Sequence, residues 1–94
     1  MILVLQPYQV EFKSSAQKEL KRLPKIAQIK IVDAIRHLAT NPFSPILPIR
    51  KMEGRSIDNR FRLRVGPYRV VYEVQKKQVT ICIIRVGHRQ DVYR

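Results

Sequence analysis

Tyr8, Val10 and Phe12 alternate with Gln9 and Glu11, the period-two pattern of a strand with one buried face over Tyr8 to Phe12. Ahead of it Met1 to Leu5 is apolar and Pro7 interrupts the run. From Ala16 to Leu23 the period lengthens. Ala16, Leu20 and Leu23 fall four and three apart among Lys18, Glu19, Lys21 and Arg22, which predicts a short amphipathic helix. Ser14 or Ser15 supplies its cap, and Ser14 with Gln17 has the spacing of a capping box. Pro24 ends this helix and, because proline suits a first helical turn, begins another over Lys25 to Ala39. Its apolar stripe holds Ala27, Ile31, Ala34 or Ile35, and Leu38.

Thr40 to Pro48 carries Pro42, Pro45 and Pro48 and reads as an irregular connection, pinned to the core by Phe43 and by Ile46 or Leu47. An extended piece over Ile49 to Met52 and a turn over Gly54 to Asn59 follow. Period two then returns in the segments Arg60 to Val65, Tyr68 to Gln75 and Val79 to Val86, joined by Gly66-Pro67 and Lys76-Lys77-Gln78. The expected architecture is a two-layer α+β fold, strand-helix-helix followed by an antiparallel β-meander. No repeat or linker divides it, so residues 1–94 read as a single domain.

The first of these strands has two faces of opposite character. Phe61, Leu63 and Val65 point to one side and want a core; Arg60, Arg62 and Arg64 point to the other and want anions. Overall charge sharpens this picture. Nineteen basic and seven acidic residues give a formal net charge of +12, more than solubility asks of so small a chain. Residues 50–94 hold twelve of the basic residues and four of the acidic ones, so the excess lies mainly in the C-terminal half. A polyanion, above all nucleic acid, is the partner such a balance selects.

Other chemistry is sparse. The lone Cys82 lies in an apolar run and reads as a buried, inert thiol, which makes a cytoplasmic placement the default. The N-terminal segment lacks a basic n-region and a cleavage site, so no signal peptide is expected. No run is long enough for a membrane helix, and no HExxH, CxxC or carboxylate cluster suggests a metal. A phosphate-binding glycine loop is also missing, and no cofactor is expected. His37, Asp33 and Arg36 read as a solvated helix face. The tail I-I-R-V-G-H-R-Q-D-V-Y-R gathers Arg85, His88, Arg89, Tyr93 and Arg94 beyond a glycine that lets the backbone turn. Arg89 is suited to stabilising charge that develops on a transferring phosphoryl group, and Tyr93 to stacking on a base or exchanging a proton.

The runs R-F-R-L-R-V-G-P-Y-R-V-V-Y-E-V and I-I-R-V-G-H-R-Q-D-V-Y-R, with K-M-E-G at Lys51 to Gly54, resemble the RelE branch of the RelE/ParE toxin superfamily from Tyr8 onward. That resemblance implies the toxin of a type II toxin-antitoxin pair, a ribosome-dependent endoribonuclease. It would cleave mRNA by attack of the substrate's own 2′-hydroxyl on the adjacent phosphate, without metal. By motif position Arg60 and Arg62 bracket the scissile phosphate, Arg69 binds it, Arg89 stabilises the transition state or leaving group, and Tyr93 stacks and assists proton transfer. Lys51, Arg64, Arg85, His88 and Arg94 are the expected RNA-binding residues. The implied partners are mRNA, the ribosome and a cognate antitoxin whose helical segment wraps the toxin in a hetero-oligomer. Lysines are usual where Arg60 and Arg62 stand. Arginine binds phosphate bidentately but stays protonated, leaving proton removal to Tyr93 or to a largely electrostatic mechanism. Two alternatives stand beside this: a ParE-like inhibitor of DNA gyrase, which shares the fold but against which Arg60, Arg62, Arg89 and Tyr93 argue, and a relative that binds RNA or antitoxin without cleaving.

Overall fold

The computed structural model describes residues 8–52 and 59–88. Strand β1 (Gln9–Phe12) is followed by helices α1 (Ser14–Lys21) and α2 (Lys25–Thr40). Strands β2 (Ile49–Lys51), β3 (Arg60–Val65), β4 (Tyr68–Gln75) and β5 (Thr80–His88) come next, with a short 3₁₀ turn at Lys76–Gln78. The sheet order is β1-β5-β4-β3-β2: β2 to β5 form the antiparallel meander, and β1 lies parallel to β5 at one edge. The α+β expectation holds, and the helices pack on one face of the sheet.

The core joins Ala16 and Leu20 of α1 and Ile31, Ile35 and Leu38 of α2 to Leu63, Val70, Tyr72, Val74, Ile81, Ile83 and Val86 of the sheet. Of the two candidates for the α2 stripe, Ile35 is buried and Ala34 only half-buried. Phe61 stacks on Tyr72 at 5.6 Å between ring centroids, and the buried Tyr72 hydroxyl donates to the Pro42 carbonyl at 2.8 Å. Burial pushes the Tyr72 phenol above its ordinary pKa, so it stays neutral and able to donate. This bond holds the proline-rich connection. Pro42 is fully buried and Leu47 packs on the core, whereas Phe43 is 42% exposed and Ile46 is 90% exposed. Of the expected pins, Leu47 rather than its alternative Ile46 packs on the core, and Phe43 is corrected to Pro42. The hydrogen bond to Tyr72 draws the chain in at Pro42 and leaves its neighbours on the rim.

The expected capping box is also corrected. Lys13 is the N-cap of α1, and Ser14 already lies inside the helix with no side-chain cap bond. The reason is the sheet: Lys13 still donates to Ile83 O of β5 at 2.9 Å, so the chain passes directly from strand pairing into the helix, whose first bond is Gln17 N to Lys13 O. Pro24 sits at the N-cap of α2. Gln28 then reaches back and donates to Leu23 O at 2.8 Å, satisfying a carbonyl at the end of α1.

The Gly66-Pro67 hairpin places Gly66 at φ +59°. Glycine at the first central position followed by proline fits a type II′ turn, whose twist matches the flanking strands. Space around Gly66 is open, so only the backbone conformation demands glycine. Val79 at φ +49° adopts a left-handed conformation that a β-branched residue disfavours. It is held by its N–H to Lys76 O at 3.2 Å and by Gln9 N donating to its carbonyl at 2.8 Å.

Tyr72→Phe, which leaves the Pro42 carbonyl without its buried donor, is expected to lower unfolding stability by about 1–3 kcal/mol in denaturant titration. Gly66→Ala should lower it by about 1–2 kcal/mol through backbone strain alone, despite the open space.

Candidate nucleic-acid interface

The pairing of β3 with β4 decides what faces outward. Its register sets Phe61 opposite Tyr72, Leu63 opposite Val70 and Val65 opposite Tyr68 on the helix-covered face. On the other face Arg60 lies opposite Glu73, Arg62 opposite Val71, and Arg64 opposite Arg69. β2 adds Arg50 directly opposite Arg62. Arg50, Arg62, Arg64 and Arg69 therefore meet in one cleft of about 540 Å³, floored at its margin by Leu47, Pro48 and Ile49, and among the described residues no carboxylate lines it. Like charges facing across strands are destabilising by about 0.2–1 kcal/mol per pair. A bound phosphate removes that penalty and gains charge-assisted hydrogen bonds.

Arg69 is pre-positioned. Its Nη1 donates to the carbonyls of Tyr68 at 3.0 Å and Gly66 at 3.2 Å, folding the guanidinium over the hairpin. The turn thus serves the cleft as well as the fold. A second cavity, lined by Pro48, Arg64, Gly66, Pro67, Arg69 and His88, continues the first through the residues they share. The His88 ring lies edge-on to Tyr68 at 5.9 Å between centroids. Among the described residues lining the two cavities, His88 is the one histidine, a side chain that can exchange a proton through its imidazole.

Not every expected residue joins this group. Arg60 is held by Glu73 through its Nε at 3.0 Å and through a second, shorter contact from Nη2, and it does not line the cleft. Arg85 donates to Glu19 of α1 at 3.1 Å, while the other Glu19 oxygen accepts the Val86 N–H at 2.9 Å. Past Phe12, where β1 ends, Glu19 thereby satisfies a backbone donor of β5 and ties α1 to the sheet. Lys51 faces the opposite side of β2 and lines a different cavity. Arg89, Tyr93 and Arg94 lie outside the described residues. Arg50 was missed by sequence reasoning; its only signal was the short extended pattern at Ile49 to Met52, and its role follows from pairing with Arg62.

Cys82 is half-buried, and its thiol is pushed above its ordinary pKa by burial, then by the neighbouring Glu73 and Glu11 carboxylates, partly offset by Lys13. That suppresses thiolate and agrees with an inert role. His37 and Asp33 are exposed and 3.6 Å apart on α2. No cluster of metal-ligating side chains occurs among the described residues, and no helix there is long and apolar enough to cross a membrane.

Residues 10–93 match the family described as the ParE toxin of type II toxin-antitoxin system, parDE. The chain is 34% identical over 89 residues to Toxin RelG of Mycobacterium tuberculosis, covering 94% of this chain and 98% of the relative. It is 32% identical over 89 residues to Toxin RelE of the same organism, covering 94% and 88%. Among solved structures, the archaeal RelE-RelB complex from Pyrococcus horikoshii OT3 superposes with a TM-score of 0.75 at 28% identity, covering 88% of this chain and 96% of that one. The RelB-RelE antitoxin-toxin complex from Methanococcus jannaschii gives 0.72 at 32% identity, covering 88% and 94%.

Arg62→Ala is expected to weaken binding of a short oligonucleotide at least about tenfold, since charge-assisted hydrogen bonds contribute about 1.5–3 kcal/mol. Arg60→Ala should change that affinity less than about threefold and instead lower stability by up to about 1 kcal/mol, because its guanidinium belongs to a partly exposed ion pair with Glu73. Fluorescence anisotropy and thermal melts read the two effects separately.

Proposed function

From the premise that this chain belongs to the RelE/ParE superfamily of type II toxin-antitoxin toxins, we propose that it is a ribosome-dependent endoribonuclease that cleaves mRNA. The observation that carries this reading is the cleft in which four arginines converge on the sheet face opposite the helices. Such a surface binds a phosphodiester and, more tightly still, the extra negative charge of a five-coordinate phosphorus. The substrate's 2′-oxygen attacks the adjacent phosphorus and the bond to the 5′-oxygen breaks, leaving a cyclic phosphate and a 5′-hydroxyl. Arg62, Arg64 and Arg69 hold the phosphate oxygens, with Arg50 on the approach.

Guanidinium groups stabilise charge but do not take the nucleophile's proton. His88, beside Arg64 and Arg69 in the adjoining cavity, can do so. Arg89 and Tyr93 would complete the site by the motif correspondence, on the leaving-group side and against the base. Arg60 acts indirectly, as the partner of Glu73 at the far end of β3. A cognate antitoxin is the proposed protein partner, supported by relatives whose structures are toxin-antitoxin complexes. The ParE description of the matched family keeps a second reading, inhibition of DNA gyrase.

Purified protein added to a cell-free translation reaction should produce new mRNA 5′ ends, mapped by primer extension. Arg62→Ala should lower cleavage by about 10²–10³, the loss typical of one transition-state donor, and His88→Gln by about 10² or more. Ribosome binding by either variant should change far less than cleavage. Intact mRNA in the presence of folded wild-type protein rejects the nuclease reading. Blocked supercoiling by gyrase with unaffected translation would establish the other.

A further inference from the structure

We propose a second RNA-binding subsite, specific for a single-stranded nucleotide, on the helix side of the sheet at the β2 edge; it rests on the ribonuclease reading above and extends the substrate path beyond the arginine cleft. A cavity of about 540 Å³ opens there between the proline-rich connection and the turn from β4 to β5. Its apolar floor includes Phe61, and Phe43 stands on its rim, 42% exposed and edge-on to Phe61 at 5.4 Å. Lys51, Lys76 and Lys77 surround it, Gln78 adds an amide, and among the described residues no carboxylate lines it.

An exposed aromatic ringed by cations, with amide groups at hand, matches a base and its flanking phosphates. Lys76 Nζ already sits 5.3 Å from the Phe43 ring centroid. A cation-π contact at an exposed site contributes about 0.5–1 kcal/mol, whereas base stacking on an aromatic contributes about 1–3 kcal/mol. A base can therefore displace the ammonium, which is then placed for the phosphate of the same nucleotide.

The connection between the two sites is the pleat. Arg50 and Lys51 are consecutive on β2 but belong to opposite faces, paired with Arg62 and Phe61 respectively. β2 is also the edge strand among the described residues. A single strand held in the arginine cleft can pass around this edge and meet Lys51 on the far side without crossing the fold.

The test compares an RNA of about three nucleotides, too short to span both sites, with one of about ten, within the range of about 4–16 nucleotides seen for single-strand binders. The full chain is used, with anisotropy read at several salt concentrations and thermal melts as a control for folding. Lys76→Ala with Lys77→Ala should weaken the longer RNA about tenfold and reduce its salt slope by about 1.4, near 0.7 for each lost phosphate contact. Phe43→Ala should weaken it about fivefold to a hundredfold, and Phe43→Trp should restore it. Neither change should affect the shorter RNA, whereas Arg62→Ala weakens both lengths. If the lysine variant, which alters only exposed side chains, binds the longer RNA like wild type, the second subsite is overturned while the cleft stands. A loss confined to binding of the cognate antitoxin would overturn the RNA assignment and make the pocket a protein-docking surface. Failure of folded wild-type protein to bind either RNA overturns the second subsite, whereas the ribonuclease reading stands or falls separately on mRNA cleavage in the translation reaction.

Discussion

The antiparallel pairing of β3 with β4 is the constraint on which both the core and the cleft depend. With a side-chain period of two, the register that buries Leu63 and Val70 necessarily turns Arg62, Arg64 and Arg69 outward. A slip of one residue would bring arginines against the helices and expose the aromatic floor. Hydrophobic burial thus positions the cationic face as a by-product of satisfying the core, with no separate scaffold for the site. The Gly66 turn pins the register and supplies the carbonyls that orient Arg69. One hairpin therefore carries fold and chemistry together.

Acidic residues sort the arginines by function. Glu73 holds Arg60 at one end of β3, and Glu19 holds Arg85 while satisfying the exposed edge of β5. These carboxylates engage cations in ion pairs that also join elements of the fold, and the cleft contains neither. The contrast matters because a carboxylate within the cleft would compete with an incoming phosphate for the same guanidinium donors. Charge count alone makes the chain basic. Glu73 and Glu19 determine which two arginines, Arg60 and Arg85, are engaged away from the cleft.

The proline-rich connection illustrates a different division of labour. Pro42 and Leu47 anchor it, and the Tyr72 hydroxyl fastens its backbone to the core. With the ends held, Phe43 and Ile46 are left outside, although their hydrophobicity made them the natural candidates for burial. Phe43 instead shares its ring with Phe61 on one side and Lys76 on another. A rigid connection can present an exposed aromatic without losing the core contacts that keep the loop in place.

Local pattern determined much of this protein. Period-two alternation, the helical stripes and the Gly-Pro punctuation placed the two helices and the meander, and the Arg60, Arg62 and Arg64 series announced an anion-binding face before any contact was visible. The family resemblance named the toxin superfamily on motifs within those same strands. What local pattern could not decide was partnership. Arg50 joined the site through cross-strand pairing, Arg60 and Arg85 were drawn to carboxylates on other elements, and β1 turned out to lie parallel to β5. Lys13 replaced the serines as the helix cap because its N–H was still engaged by β5. Side-chain periodicity is local to each segment and can be read along the chain; register and ion pairing join residues far apart in sequence, so only tertiary packing settles which arginines line a common cleft.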